Sequence, residues 1–204
     1  MIAIVDYGSG NVAAIADIFK RLKVPHAVTA DHDALRAADR YILPGVGAFD
    51  TTMRHFIDSG LVAVLNEQVT VLHKKVLGIC VGMQILAHAS EEGSRAGLGW
   101  VNGQVRSFGN NPASAGLPMP HMGWNDVAPV AGSPLFKGFE NDARFYFLHS
   151  FYFSCTDAGD SIARSSYGFD FDCAVRSGNM FGVQFHPEKS HHWGTALLKN
   201  FAEL

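Results

Sequence analysis

From residue 1 to about residue 90, short apolar runs alternate with apolar positions at helical spacing. Ile2-Ala3-Ile4-Val5 reads as a buried strand, and beyond the turn Gly8-Ser9-Gly10 the residues Val12, Ile15, Phe19 and Leu22 share one helical face. A second short strand near Ala27-Val28 is followed by Tyr41-Ile42-Leu43, the turn Pro44-Gly45-Val46-Gly47, and a helical region carrying Met53, Phe56 and Ile57. Val76-Leu77-Gly78-Ile79 feeds directly into another helix, predicted through Gln84, Leu86 and Ala87. Such strand–helix repeats predict a mostly parallel sheet covered by helices.

After about residue 97 the pattern changes to strands with few helices: Trp100 to Phe108, Val127 to Val130, Phe145 to Phe153, and Ala174-Val175. Ser177-Gly178-Asn179 reads as a hairpin turn into Met180 to Phe185. This half is expected to be antiparallel or mixed. Gly109 to Pro120, rich in Gly, Pro, Asn and Ala, reads as a surface loop between strands. Trp193, Leu197, Phe201 and Leu204 form a closing helical stripe.

Composition narrows the function classes. With 204 residues, 48% of them apolar and 17% charged, the chain can bury a sizeable core as one domain. A net charge of −3 offers no broad cationic surface for nucleic acid. No segment approaches the roughly 20 apolar residues of a membrane-spanning helix, and MIAIVDYGSGN lacks a basic leader, so a soluble, cytoplasmic protein is expected. Three scattered cysteines make no disulfide framework and suit a reducing compartment. Ten histidines invite a metal reading, but no HExxH or other compact ligand spacing occurs, so no metal and no cofactor are expected.

Gly78-Ile79-Cys80-Val81-Gly82 joins a strand to a helix, with a glycine two positions either side of the cysteine. That is the pattern of a nucleophile elbow, whose tight turn lifts a reactive side chain above the sheet. A helix N-terminus also favours a thiolate, and the Val81 N–H would point where an oxyanion forms. The local sequence leaves a second reading open: a small cysteine packed in the core. Cys155 and Cys173 lack the elbow context and read as core residues, or as a redox pair.

Phe185-His186-Pro187-Glu188 follows a strand, and proline steers His186 into an extended conformation. Side chains two apart then point the same way, so the Glu188 carboxylate can hold one ring nitrogen of His186 and leave the other facing Cys80.

Gly78-Ile79-Cys80-Val81-Gly82-Met83-Gln84 together with His186-Pro187-Glu188 resembles the class I, or triad, glutamine amidotransferases. Within that group, Pro44 to Phe49, Pro118 to Asn125 and Gly182 to Ser190 are similar to the glutaminase-subunit family of imidazole glycerol phosphate synthase, and the likeness spans nearly the whole chain. The resemblance implies one glutamine amidotransferase type 1 domain over residues 1–204. Its α/β, flavodoxin-like fold would have a mostly parallel central sheet flanked by helices and an antiparallel region in the C-terminal half. It implies that Cys80, His186 and Glu188 release ammonia from glutamine through a thioester, with an oxyanion held by Val81 and the turn Gly45, Val46 and Gly47. Gln84, Glu92, Tyr146, His149, Ser150 and Phe151 would line the glutamine pocket. Relatives usually carry tyrosine where Phe151 stands, which leaves only backbone contacts there.

The resemblance further implies a heterodimer with a barrel-shaped cyclase subunit that receives the ammonia for histidine biosynthesis, making imidazole glycerol phosphate and AICAR. Asn11, Met122, Gly123, Trp124 and Lys189 match positions facing that partner. On local sequence alone, Trp124 reads as a core aromatic. Two stretches, Val81 to His88 and His149 to Cys155, also resemble paralogous subunits that supply ammonia for amidino sugars of bacterial surface polysaccharides. A cysteine peptidase would have no need of the Pro-His-Met-Gly-Trp segment. A silent binding module would most simply have lost one of the three triad residues.

Overall fold

The computed structural model describes residues 1–139 and 142–204. Its first half runs β1 (Ile2–Val5), α1 (Val12–Arg21), β2 (His26–Thr29), α2 (His32–Ala37), β3 (Arg40–Gly45), α3 (Phe49–Asp58), α4 (Val62–Asn66), β4 (Lys75–Cys80) and α5 (Val81–Gln84). The second half adds β5 (Ala89–Ser90), β6 (Gly103–Ser107), β7 (His121–Asp126), β8 (Ala128–Pro129), β9 (Arg144–His149) and β10 (Phe151–Cys155). It closes with β11 (Ser161–Ser166), β12 (Asp170–Ser177), β13 (Met180–Val183) and α6 (His191–Glu203).

The main sheet runs β2-β1-β3-β4-β13-β12-β10-β6-β5. Its left part, β2 to β13, is parallel, and beyond β13 the pairing with β12, β10 and β6 is antiparallel. The α/β class and the mixed C-terminal half are therefore as expected. Burial follows the apolar spacing: Ile15, Ile18 and Phe19 of α1, Phe49, Met53 and Phe56 of α3, and Leu197, Leu198 and Phe201 of α6 are all buried. Ile57, expected on the same face of α3, instead points outward and is 48% exposed.

Several elements depart from the sequence expectation, and each departure has a long-range cause. The helix predicted through Ala87 stops at Gln84, because the carbonyls of Ile85, Leu86, Ala87 and His88 accept backbone N–H groups from residues 97–101. The same bonds take Trp100 and Val101 out of the strand expected from residue 100, leaving β6 to begin at Gly103. The single strand expected from Phe145 to Phe153 breaks at Ser150. β9 pairs with β7 in a separate two-stranded ribbon, whereas β10 joins the main sheet. Strands β7 and β11 and helix α2 lie in segments without clear apolar periodicity. The loop at 109–120 contains a short 3₁₀ turn at Pro112–Ser114.

Cys80 ends β4 between two parallel neighbours, β3 and β13, at the carboxyl edge where open α/β sheets form their clefts. The elbow is packed backbone against backbone. A Cβ on Gly82 would lie 1.8 Å from the Leu43 carbonyl oxygen, one on Gly45 would lie 2.4 Å from the Gly82 nitrogen, and one on Gly78 2.5 Å from the Gly82 oxygen. None of these neighbours is a side chain that could swing away. Gly82→Ala must therefore push α5 off β3, and it is expected to cost about 3 kcal/mol or more in urea unfolding, at the upper end of overpacking penalties.

Candidate active site

Cys80 has φ 56° and ψ −116°, a left-handed conformation that a residue with a side chain adopts only under constraint. The strain comes from the glycine contacts just described, which leave the chain no other path from β4 into α5. The thiol is 4% exposed. It is less open than an elbow reading suggests, because it sits on the floor of a cleft of about 300 Å³ and not at its rim.

His186 follows the end of β13, and its Nδ1 lies 2.9 Å from the Glu188 Oε1, with both side chains almost wholly buried. The backbone N–H of His186 donates to the Tyr146 carbonyl, and its carbonyl accepts the Ser190 hydroxyl, so the ring is fixed from both sides. Burial by itself lowers the basicity of this imidazole. Hydrogen bonds to Cys80 and Glu188, with the charges of both, outweigh burial and push the His186 pKa up to about 10. The three residues thus form one contiguous thiol–imidazole–carboxylate array, able to make a nucleophile and to shuttle a proton.

The cleft is lined by Val46, Gly47, Cys80, Val81, Gln84, Glu92, His149, Ser150, Phe151, His186 and Lys189, all singled out from sequence, with Pro120 and Leu148. Gly45 lies just behind, beneath the elbow, and Tyr146 holds the His186 backbone without lining the cleft. Glu92 spends one carboxylate oxygen on the Phe49 N–H at the start of α3, 2.8 Å away. Lys189, expected to face a partner, reaches over the cleft rim with its Nζ 5.8 Å from the Tyr146 ring centre. Asn11 is exposed at the start of α1. Met122 (64% exposed), Gly123 and Trp124 (37% exposed) lie on the outer ribbon, where Trp124 stacks on His191 at 5.3 Å and lies near Trp193, so it is not a core aromatic.

The turn after β3 is held in one orientation. The Val46 N–H donates to Ser9 Oγ at 3.1 Å, and the Val46 carbonyl accepts the hydroxyls of Ser9 at 3.2 Å and Thr52 at 3.4 Å. In this conformation the N–H expected in an oxyanion site therefore faces Ser9. Neither role is visible in the sequence: Ser9 lies 37 positions from Val46, and Thr52 reaches the turn only because α3 folds back beside it.

A second buried pair was also not foreseen. His121 and His149 face each other across β7 and β9, with His121 Nδ1 2.9 Å from His149 Nε2. The Phe151 carbonyl, 2.7 Å from His149 Nδ1, can only accept, so that nitrogen carries the proton and Nε2 accepts from His121. The Asn125 amide then donates to His121 Nε2 at 3.2 Å. Burial lowers the pKa of His149 to about 3 and that of His121 to about 4, so both rings stay neutral. Burial, reinforced by Asp172, raises Cys155 and Cys173 and keeps them as thiols; both are unpaired. Among the described residues no group of three or more His, Cys, Asp or Glu converges as a metal site, and no helix is long and apolar enough to cross a membrane.

Since the folded values of His121 and His149 lie below the ordinary value near 6.5, the unfolded chain binds more protons. The stability this pair confers is complete above pH 6.5 and is lost as pH falls from there towards 3. Urea unfolding at pH 5 should show a loss relative to pH 7 of ~2 kcal/mol from His149 alone. His121→Phe should remove the further share that His121 itself adds to the acid loss, leaving that of His149, while lowering stability at pH 7.

The family model for class I glutamine amidotransferases matches residues 3–204. An imidazole glycerol phosphate synthase subunit HisH of Bdellovibrio bacteriovorus is 55% identical over 204 residues, covering all of both chains. The HisH subunit of Leptospira borgpetersenii is 48% identical over 206 residues, again covering both chains fully. A crystal structure of a glutamine amidotransferase superposes with a TM-score of 0.77 at 19% identity, covering 99% of this chain and 97% of the other. The glutaminase domain of Trypanosoma brucei CTPS with bound acivicin reaches 0.67 at 18% identity, covering 98% and 92%. At those identities the superpositions bear on the fold alone, and they agree with the α/β architecture described above. By its sequence over nearly its whole length, the chain belongs to the class I glutamine amidotransferases.

Proposed function

We propose that residues 1–204 act as one glutamine amidotransferase domain, the glutaminase subunit of imidazole glycerol phosphate synthase, which hydrolyses glutamine and hands the ammonia to a cyclase subunit for histidine biosynthesis. The observation that carries the chemistry is the buried His186–Glu188 pair set against Cys80 at the cleft floor. The likeness to the HisH subunits, with full coverage of both chains, supports the pathway.

The Cys80 sulfur attacks the side-chain amide carbon of glutamine, forming a carbon–sulfur bond and placing the carbonyl electrons on oxygen. The His186 imidazolium gives its proton to the amide nitrogen, which leaves as ammonia as the carbonyl re-forms, and a thioester remains. Water then attacks the thioester, His186 takes the water proton, and glutamate leaves with Cys80 restored. Glu188 holds the ring in the orientation both transfers need. At its open end the cleft offers the Glu92 carboxylate and the Lys189 ammonium, which suit the ammonium and carboxylate of an amino acid.

The oxyanion is stabilised by the Val81 N–H and by an N–H of the Gly45–Gly47 turn, each donor commonly worth a few kcal/mol. With the Val46 N–H held by Ser9, the resting chain lacks part of that stabilisation, and the turn must rotate before full activity. Gly47, at φ +93° with open space around it, can absorb such a rotation. Docking of the cyclase on the face carrying Asn11, Met122, Gly123 and Trp124 is the event that favours it. The ammonia then passes to the partner without meeting bulk water, where protonation would make it unreactive.

Glutamate release should be slow for the chain alone and rise by at least about tenfold when the cognate cyclase is added, in a coupled glutamate assay. Cys80→Ala should reduce it to background, and Glu188→Gln should lower kcat on the order of 10²- to 10⁴-fold; undiminished turnover by Cys80→Ala would exclude the thioester route. Expression in a histidine auxotroph lacking its own subunit should restore growth. Failure to rescue, with glutaminase activity intact, would point to the amidino-sugar paralogues.

A further inference from the structure

Between β13 and His186 stand Gln184 and Phe185. Phe185 enters the aromatic core, stacked on Phe145 at 4.0 Å, while Gln184 turns towards the elbow together with His186. The Gln184 side chain is fully buried, and a buried amide must find partners. Its Oε1 accepts from Gln84 Nε2 at 3.0 Å, and its Nε2 lies 3.7 Å from the Cys80 Sγ, within reach of a sulfur acceptor.

The direction of this chain of bonds is dictated from its far end. Gln84 Nε2 also lies 3.3 Å from the Phe151 carbonyl oxygen, which is anchored by His149 Nδ1. A carbonyl can only accept, so the Gln84 group turned towards it is the NH₂. That NH₂ also faces Gln184, which must present its oxygen there. The Gln184 NH₂ is then left facing the sulfur. Two buried amides thus carry the polarity of one backbone carbonyl to Cys80 and end in a donor.

We propose that Gln184 is a further catalytic residue, donating a hydrogen bond to the Cys80 sulfur that favours the thiolate over the thiol and holds it in place for attack. The inference rests on reading Cys80 as the nucleophile. A charged acceptor takes a stronger hydrogen bond than a neutral one, so such a donor acts selectively on the thiolate. The other titratable groups around the sulfur are His186 with Glu188 behind it, Tyr7 from the loop after β1, His149 of β9, and Glu92 and Lys189 at the cleft wall. All of them remain when Gln184 alone is changed.

Alkylation of the full-length chain by iodoacetamide, read cysteine by cysteine by mass spectrometry between pH 5 and 10, tests the proposal. Gln184→Met keeps the length of the side chain and removes the donor. Cys80 in this variant should react about fivefold or more slowly than in the parent at pH 7, with its profile displaced to higher pH. Cys173, fully buried, reports folding by staying unlabelled. A profile superimposing on the parent's, with Cys173 still protected, would overturn the proposal. Should Gln184→Met expose Cys173, Gln84→Leu carries the test, because it removes the group that fixes the amide's direction. There too a displacement to higher pH is expected, smaller in size, and an unchanged profile overturns the idea. Alkylation needs no glutamine, so its outcome is independent of whether the chain turns over that substrate.

Discussion

The close approach of the elbow to its neighbouring strand governs everything above it. Where Gly82 lies against the Leu43 carbonyl, two backbones touch with no side chain between them. That contact forces Cys80 into its left-handed conformation, sets the start of α5, and seats the sulfur between the ends of β3 and β13. The histidine and carboxylate need no strain of their own. They emerge from β13, which is registered residue for residue against β4, so the position of His186 relative to Cys80 follows from strand pairing.

Two kinds of histidine environment follow from two kinds of neighbour. His186 is buried beside a thiol and a carboxylate, and the pull of these partners exceeds the cost of burying charge. His121 and His149 are buried with aromatic rings, the Phe151 carbonyl and each other, with no anionic partner among the described residues, and burial wins. In linkage terms they oppose one another. The contribution of His186 is complete below pH 6.5 and is lost as pH rises towards 10, whereas that of the neutral pair is lost on acidification.

The parts legible in the sequence were those set by near neighbours along the chain. The elbow shows itself through glycines two positions from Cys80, and the His186–Glu188 pair through proline and the period of an extended segment. Helices α1, α3 and α6 appear through apolar spacing. The illegible parts depend on residues far apart in sequence. The Gln84 helix is cut short by residues 97–101, and Ser9 meets Val46 across 37 positions. The His121–His149 pair exists only because β7 and β9 come together in register. Gln184 could have been found: it precedes His186 by the same two-residue step that joins His186 to Glu188.

The break at Ser150 divides one run of chain between two sheets, with β9 in the outer ribbon and β10 in the main body. The ribbon carries the exposed Trp124 and Met122 on its other strand, and the residues at the break, His149 to Phe151, form one wall of the cleft. The outer ribbon and that cleft wall are therefore successive parts of one continuous stretch of backbone, joined through Ser150. Trp124 pairs with Tyr146, which stands on the same strand as His149 of the cleft wall, so half of β9 joins the tryptophan face to the cleft.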